Sequence, residues 1–520
     1  MRILLVEPDY RRGSQSFRQK VANGRGRKRD DETLWYPPIG LMKISTFHKG
    51  RGDHVQFVIG TDASVIPKAD LFSDVELWDR VYITTLFTFG WNKIIETIEF
   101  YKQAVGGSVS KIFVGGIMAS LMPEEIFTAT NIYPIVGTLD SPQKIRLEGN
   151  ENIDELPLDY ELLPTEVYAI NDTYYGYATR GCENKCSWCG VPKIEGDLVD
   201  YIDIKPSIYY LRRTYGDKSR LKLMDNNVLA SPNLRKIVND LLELGYGRGE
   251  TTDSPSPKAK VVDFNQGLDA THFTEECLEI ISKINIKPMR IAFDRLSEEN
   301  DYKNAIRLAR KYGFNDFSNY MLYNWKDTPR DLYRRLEINF ELNEEYTGAG
   351  GIYSYPMRFA PIADIDGTGA NKNRDFFVDP KKDCDDYFEN AQWNRRFVRN
   401  VEIIKGAANG AISPTTTLAR RAIGYDFKQF LANLYMPEEL LRNRNKYEAT
   451  IRDGEPKRTL GDGTIEKFYE FIYRLLETQD EKFLYFHDAV SQNSVKGIKA
   501  AIENCKYKEV ENWLKWYLKK

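Results

Sequence analysis

Between residues 170 and 362 short apolar runs alternate with amphipathic stretches in a regular order, and few folds accept that order. Tyr174 to Thr179, Leu221 to Asp225, Val261 to Asn265, Met289 to Asp294, Phe317 to Tyr323 and Gly351 to Phe359 read as strands. Helical spacing fills the segments between them. One helix is predicted from Ser231 as N-cap, with Pro232 at its first position, Leu234, Ile237, Val238, Leu241 and Leu242 on one stripe, and a stop at Gly245. Another opens with Thr328, Pro329 and Asp331, a capping-box spacing. Strands joined by helical crossovers pair in parallel and turn right-handed, so six of them predict a sheet curved into a partial (β/α)6 barrel over residues 165–365. Ligands in such sheets sit at the C-terminal strand ends.

The flanking regions differ in character. In residues 1–150, Arg2 to Glu7, Val81 to Thr85 and Lys111 to Val114 are strand-like, and Trp91 to Tyr101 repeats Ile94, Ile95, Ile98 and Tyr101 at helical spacing, which predicts a doubly wound parallel sheet. Residues 380–520 read as a helical domain, with Ile465, Phe468, Tyr469, Ile472 and Leu476 on one face. The expected class is therefore α/β, with an N-terminal doubly wound sheet, a central barrel and a C-terminal helical part; 520 residues suit three such domains. Gly247 to Lys260, polar and rich in Ser, Thr, Gly and Pro, reads as a mobile insertion before the third barrel strand.

Composition removes several alternatives. With 42% hydrophobic residues and 73 Lys and Arg against 76 Asp and Glu, neither a disordered chain nor a strongly basic nucleic-acid module is expected. No segment approaches the ~20 apolar residues of a membrane span, and Glu7 and Pro8 end the first apolar run too soon for a signal peptide. A cytoplasmic location is expected. Arg11 to Arg29 holds eight basic residues among glycines and serines, either a solvated loop or a contact for phosphate or nucleic acid.

Of only six cysteines, three fall within eight residues, in Ala178-Thr-Arg-Gly-Cys182-Glu-Asn-Lys-Cys186-Ser-Trp-Cys189, directly after the first barrel strand. Soft thiolates gathered this closely favour zinc or an iron-sulfur cluster, with an inert structural loop as the remaining reading. A closed zinc site wants four ligands. The four histidines, His48, His54, His272 and His487, lie elsewhere in the chain, and only His272, after the third strand, is placed to approach.

The Cys-x3-Cys-x2-Cys loop after the first strand of a partial barrel resembles the radical S-adenosylmethionine (SAM) superfamily. The resemblance implies a 4Fe-4S cluster held by Cys182, Cys186 and Cys189, with the free iron chelating SAM and Trp188 lying near its adenine. It also implies reductive cleavage of SAM to methionine and a 5'-deoxyadenosyl radical, with flavodoxin or ferredoxin as electron donor. Many family members end the second strand in Gly-Gly-Glu, which contacts the methionine amino group. This chain departs from that with Leu223-Met-Asp-Asn-Asn227, where Asp225 and Asn226 keep acceptor groups. Asp225 could instead be a turn residue. At the third strand end, Gln266 suits a ribose or carboxylate contact, with a plain turn as its alternative. Asp294, and Tyr323 with Asn324, are the weaker candidates further along; each is equally readable as a capping or core residue.

The segment 1–150, with Tyr36-Pro-Pro-Ile-Gly40-Leu-Met-Lys-Ile-Ser and Val114-Gly-Gly-Ile-Met118, resembles the cobalamin-binding-like domain of one branch of that superfamily. Its lower-ligand signature Asp-x-His-x-x-Gly is missing, since Asp9 is followed by Arg11 at the histidine position. Cobalamin-dependent methylation is thus a possible but unfavoured reading, behind a vestigial domain that shapes the substrate pocket. Methylthiotransferases, a competing branch, carry three further N-terminal cluster cysteines, and none precedes Cys182 here. Cys277, Cys384 and Cys505 are isolated, Cys277 on an apolar stripe with Ile280, Ile281 and Ile284. A reading of another class is a non-enzymatic scaffold whose metal loop is structural and whose basic segment and helical tail bind a partner. The substrate itself is not legible.

Overall fold

A computed structural model describes residues 1–10, 34–67, 77–346, 348, 350–359, 386–407, 411–444 and 463–519. Arg11 to Arg29 and Cys384 lie outside these. The described chain falls into two compact units, one holding Met1–Gln266 and Glu279–Lys287, the other Gly267–Leu278, residues 288–359 and the described residues beyond 386.

The first unit opens with a four-stranded parallel sheet formed by β1 (Arg2–Glu7), β2 (His54–Ile59), β3 (Arg80–Thr85) and β4 (Ile112–Gly116), in the order β2-β1-β3-β4. Helix α1 (Ile39–Gly50) precedes β2 and α2 (Trp91–Tyr101) precedes β4. Alternate residues of β1 enter two separate cores: Leu4 and Val6 pack with Ile94 and Ile98, while Ile3 and Leu5 pack with Leu41, Ile44 and Phe47. Burial on both faces is why the strand reads as a continuous apolar run. Strand β2 was not foreseen from sequence. It is an edge strand whose His54 and Gln56 are exposed, so it lacks the uniform apolar signal of its neighbours.

All six strands expected between 170 and 362 are present, three in each unit. In the first unit β5 (Thr173–Gly176), β6 (Arg220–Leu223) and β7 (Val261–Phe264) form a parallel sheet in sequence order, with α3 (Lys205–Tyr215) and α4 (Leu234–Glu243) as the crossovers. Helix α4 starts at Leu234 and not at Pro232. Ser231 caps an isolated turn instead, its hydroxyl accepting from the Asn233 N–H (3.0 Å) while it donates to the Asp200 carbonyl. The stripe Leu234, Ile237, Val238 and Leu241 is buried as expected. The polar stretch before β7 is not a free insertion. Thr252 and Lys258 pair through their backbones (2.9 Å), and ion pairs from Lys258 to Asp172 (2.7 Å) and Lys260 to Asp217 (2.8 Å) pin it down.

In the second unit β8 (Met289–Arg290), β9 (Asp316–Tyr323) and β10 (Gly351–Arg358) form a parallel sheet in the order β10-β9-β8, with α5 (Glu299–Lys311) and α6 (Pro329–Glu344) as crossovers. The Thr328 hydroxyl accepts from the Asp331 N–H and the Asp331 carboxylate accepts from the Thr328 N–H, completing the capping box that starts α6. Helices α7 (Arg395–Ala407), α8 (Thr416–Ile423), α9 (Phe427–Tyr435), α10 (Thr464–Thr478), α11 (Glu481–Ser491), α12 (Val495–Glu503) and α13 (Lys508–Trp516) follow. Ile465, Phe468, Ile472 and Leu476 of α10 are buried on one stripe. None of the described helices is long and apolar enough to cross a membrane.

Among these helices His487 of α11 bonds to the Tyr435 hydroxyl (2.7 Å), and burial lowers its pKa to about 4. The unfolded chain takes up this proton near pH 6.5 and the folded chain only near its own lowered value, so stability falls as pH drops through that window. Urea unfolding at pH 7 and pH 5 should show His487 costing about 2 kcal/mol on acidification, a loss absent in His487→Gln. An equal acid loss in both proteins would refute the assignment.

Candidate functional site

The cysteine loop leaves β5 through Tyr177, Ala178, Thr179, Arg180 and Gly181, and returns as Val199 pairs with Arg180 (N···O 2.8 and 3.1 Å). Gly181 takes φ +68°, and a Cβ there would lie 2.1 Å from the Asp197 carbonyl oxygen. Only glycine fits. Inside the loop the Asn184 N–H points at the Cys182 sulfur (3.4 Å), the Val191 N–H at the Cys189 sulfur (3.5 Å), and the Cys189 N–H donates to the Cys186 carbonyl (3.0 Å). Cys182 and Cys186 are half-buried and Cys189 is exposed. Burial pushes the Cys182 thiol up, as does Cys189 nearby, while the Asn184 N–H and the Asn227 amide pull it down.

The neighbouring strand end buttresses this loop. Asp225, 1% exposed, accepts from the Ala178 N–H (2.9 Å), the Thr179 N–H and the Thr179 hydroxyl (2.7 Å). Burial outweighs those bonds and pushes its carboxyl up to about 6. Asn226 donates to Glu195 (2.8 Å), which also accepts from the Gly181 N–H (2.8 Å) and from Arg180 (2.7 Å). Arg180 in turn grips Asp154 with two nitrogens (2.6 and 2.8 Å), and Lys43 of α1 pairs with the same carboxylate (2.9 Å). Burial alone would raise Asp154, but Lys43 and Arg180 hold its carboxyl below the usual range. Burial lowers the Lys43 ammonium, against the pull of Asp154. Both cations face the Tyr177 ring, Arg180 at 3.5 Å and Lys43 at 4.9 Å from its centroid.

The structure thus brings Cys182, Cys186, Cys189, Trp188, Asp225 and Asn226 into one unit, with Trp188 half-buried on the loop. Gln266 is in the same unit and exposed, just beyond the end of β7. Asp294 and Tyr323 belong to the other unit, as does His272. There Asp294 accepts from the Leu322 N–H (2.7 Å), and burial raises its carboxyl. Tyr323 is buried against Trp393 and donates to Glu402 (2.7 Å). Arg335, fully buried, ties these strand ends by donating to the carbonyls of Asp294 and Leu322 (2.7 Å each) and to Asp327 (2.7 Å).

Lys43, Asp154, Arg180, Glu195 and Asn227 were not singled out from sequence. Only Asn227, at the end of the Asp225-Asn-Asn run, carried a local signal. Gly116 has φ +112°, and a Cβ there would meet the Thr85 carbonyl at 2.5 Å, so strand packing requires that glycine. Cys277 is a core residue whose thiol burial pushes up to about 11.

Three thiols on one short loop are a donor set for a soft metal group. Among the described residues no three His, Cys, Asp or Glu side chains are drawn together around a single point. The loop offers three thiols and the Glu183 carboxylate, with backbone N–H groups aimed at two of the three sulfurs.

No family model matches the chain. The ribosomal protein uS12 methylthiotransferase RimO of Rhodopseudomonas palustris (strain BisA53) is 33% identical over 95 residues, which cover 17% of this chain and only 21% of that protein. Among solved structures, the radical SAM methyltransferase TsrM from Kitasatospora setae is 13% identical with a TM-score of 0.47, covering 69% of this chain and 73% of its own. The cobalamin-dependent SAM radical enzyme OxsB is 12% identical with a TM-score of 0.42, covering 98% of this chain and 75% of its own.

Proposed function

We propose that this chain is a radical SAM enzyme acting on a substrate still to be identified. The observation that carries the reading is the three-cysteine loop, set at the C-terminal end of a parallel strand and held by a dedicated buried network. Cys182, Cys186 and Cys189 would hold a 4Fe-4S cluster, which when reduced supplies the electron that cleaves SAM. The remaining roles belong to this chain's own residues. Asp225 fixes Ala178 and Thr179 as the loop leaves β5, and Arg180 and Glu195 hold Gly181 beside the first ligand. Trp188 would face the adenine. With both Asp225 oxygens facing backbone donors and the Asn226 Nδ2 donating to Glu195, the Asn226 amide oxygen is the group of the pair that would accept from the methionine moiety, and Gln266 would serve its ribose or carboxylate.

In this reading residues 1–150, 165–365 and 380–520 are a cobalamin-binding-like domain, the barrel and a helical domain. Without a lower-ligand histidine, the first shapes the substrate pocket. Open thiolates and a low-potential cluster call for a reducing compartment, as in the cytoplasm, and for a flavodoxin or ferredoxin as donor.

Anaerobic reconstitution of the full chain with iron and sulfide should give about four irons per chain, and dithionite with SAM should release 5'-deoxyadenosine. A colourless protein with one zinc per chain would overturn the proposal. Cobalamin co-purifying and changing the visible spectrum would instead make methylation the leading reaction.

A further inference from the structure

Parallel strands are normally covered on both faces and apolar throughout. The sheet β5-β6-β7 departs from this on one side. Residues in register divide between its faces: Tyr174, Leu221 and Val262 are fully buried on one, whereas Tyr175, Lys222 and Asp263 share the other. A lysine and an aspartate are costly to bury there unless their charges are used. The Lys222 side chain is 12% exposed, and among the described residues the acceptor within hydrogen-bond reach of its ammonium is the Tyr36 hydroxyl (2.9 Å). Asp263, 3.7 Å away, balances the charge but is too far to bond. Two of the three ammonium protons are thus left without an acceptor among the described residues. The Tyr36 hydroxyl donates in turn to Asn265 Oδ1 (2.7 Å), just beyond β7, and its ring meets Tyr175 edge-on. Tyr36 is nonetheless 42% exposed, so the pair borders solvent and is not sealed in a core. All these residues belong to the first unit, on the sheet whose strand ends carry the cysteine loop and Asp225.

We propose that the Lys222 ammonium, held in place by Tyr36, binds an anionic group of the substrate, a carboxylate or a phosphate. This deepens the function proposed above and rests on it. The unused ammonium protons supply charge-assisted hydrogen bonds, which are about twice as strong as neutral ones, so the site selects an anion over its neutral amide or ester. Lys222 is the binding group on this account. Tyr36 is a positioning residue, fixed by Asn265 and fixing the ammonium in turn.

The test puts a fluorine beside the ammonium, with Tyr36→3-fluorotyrosine in the full chain, and follows its NMR signal as inorganic phosphate, acetate or chloride is added at constant ionic strength. Phosphate or acetate should move the signal saturably in the millimolar range while chloride does not. A phosphate response identifies a phosphorylated substrate, an acetate response a carboxylate one. Lys222→Met should weaken that response at least about tenfold, the loss of a hydrogen bond to a charged group. Because this change strands Asp263, the double change Lys222→Met with Asp263→Asn is measured beside it and is the variant expected to keep the fold, as melting temperature will show. A signal that neither anion moves, or that moves equally in a folded variant, overturns the proposal and leaves Lys222 as a strut between Tyr36 and the sheet. SAM alone abolishing both responses through Lys222 also overturns it, by giving the ammonium to the carboxylate of SAM. Anion binding needs no cluster. A chain that takes up no iron therefore refutes the function proposed above, whereas a loaded chain that cleaves SAM and shows no anion response refutes this inference alone.

Discussion

Replacing Cys186 with alanine should leave a chain that folds, stays colourless and forms no 5'-deoxyadenosine. The loop backbone survives the change, because the Cys189 N–H bonds to the carbonyl of residue 186 and not to its side chain. Arg180, Asp225 and Glu195 hold the loop from outside the cysteine triplet. What is lost on the proposed function is one of three sulfur ligands, and among the described residues no other cysteine is placed to replace it: Cys277 is buried in the core, and the Cys505 thiol donates to the Tyr507 carbonyl (3.3 Å). Iron should therefore fall from about four per chain to a small fraction of that, with product formation below detection. Melting of the metal-free variant should match that of metal-free wild type. Under the scaffold reading the wild-type chain cleaves no SAM and the substitution only lowers stability, whereas SAM cleavage unaltered in Cys186→Ala would overturn the assignment of Cys186 as a cluster ligand.

Arg180→Leu should be the most damaging change outside the cysteines. The guanidinium, with its side chain 12% exposed, is the shared partner of Asp154 and Glu195, themselves 16% and 12% exposed. Removing it leaves Glu195 without its cation and Asp154 with Lys43 alone, and breaking a buried pair from one side costs about 3–5 kcal/mol. Urea unfolding of the full chain measures that loss, and iron retention should fall with it, since Gly181 and Cys182 follow directly in sequence. A coupling test separates the network from simple packing. Glu195→Gln removes the charge that Arg180 would leave stranded, so the double variant should be more stable than the sum of the two single losses predicts. Strict additivity would show that the two side chains act independently, contrary to the 2.7 Å contact between them.

Much of this molecule is written locally along the chain. Strand positions, the capping box at Thr328 and the buried stripe of α10 follow from periodicities and end signals spanning a few residues, and the cysteine spacing places the loop after β5 without tertiary information. Ser231 carries the right cap chemistry and its hydroxyl accepts from the Asn233 N–H, but that cap closes a turn and the helix itself begins at Leu234. The stretch Gly247 to Lys260 has a loop composition, yet Asp172 and Asp217, distant in sequence, hold it. Strand β2 has a weak apolar signal because His54 and Gln56 are exposed and the strand is mostly half-buried.

By itself the sequence determined the class of fold and the cysteine loop on which the proposal rests, because both depend on residues within one turn, one strand or one loop of each other. Only the tertiary structure decided which side chains serve that loop. Lys43 meets Asp154 across 111 residues, Arg180 meets Asp154 across 26, and Asp225 meets Ala178 across 47. Those pairings come from strand register and burial, which bring charges together only after the sheet has formed. For the same reason Asp225, read from sequence as a ligand-facing acceptor or a turn residue, also braces the loop, accepting from Ala178 and Thr179 at the end of the neighbouring strand β5, as a buried carboxylate must find donors.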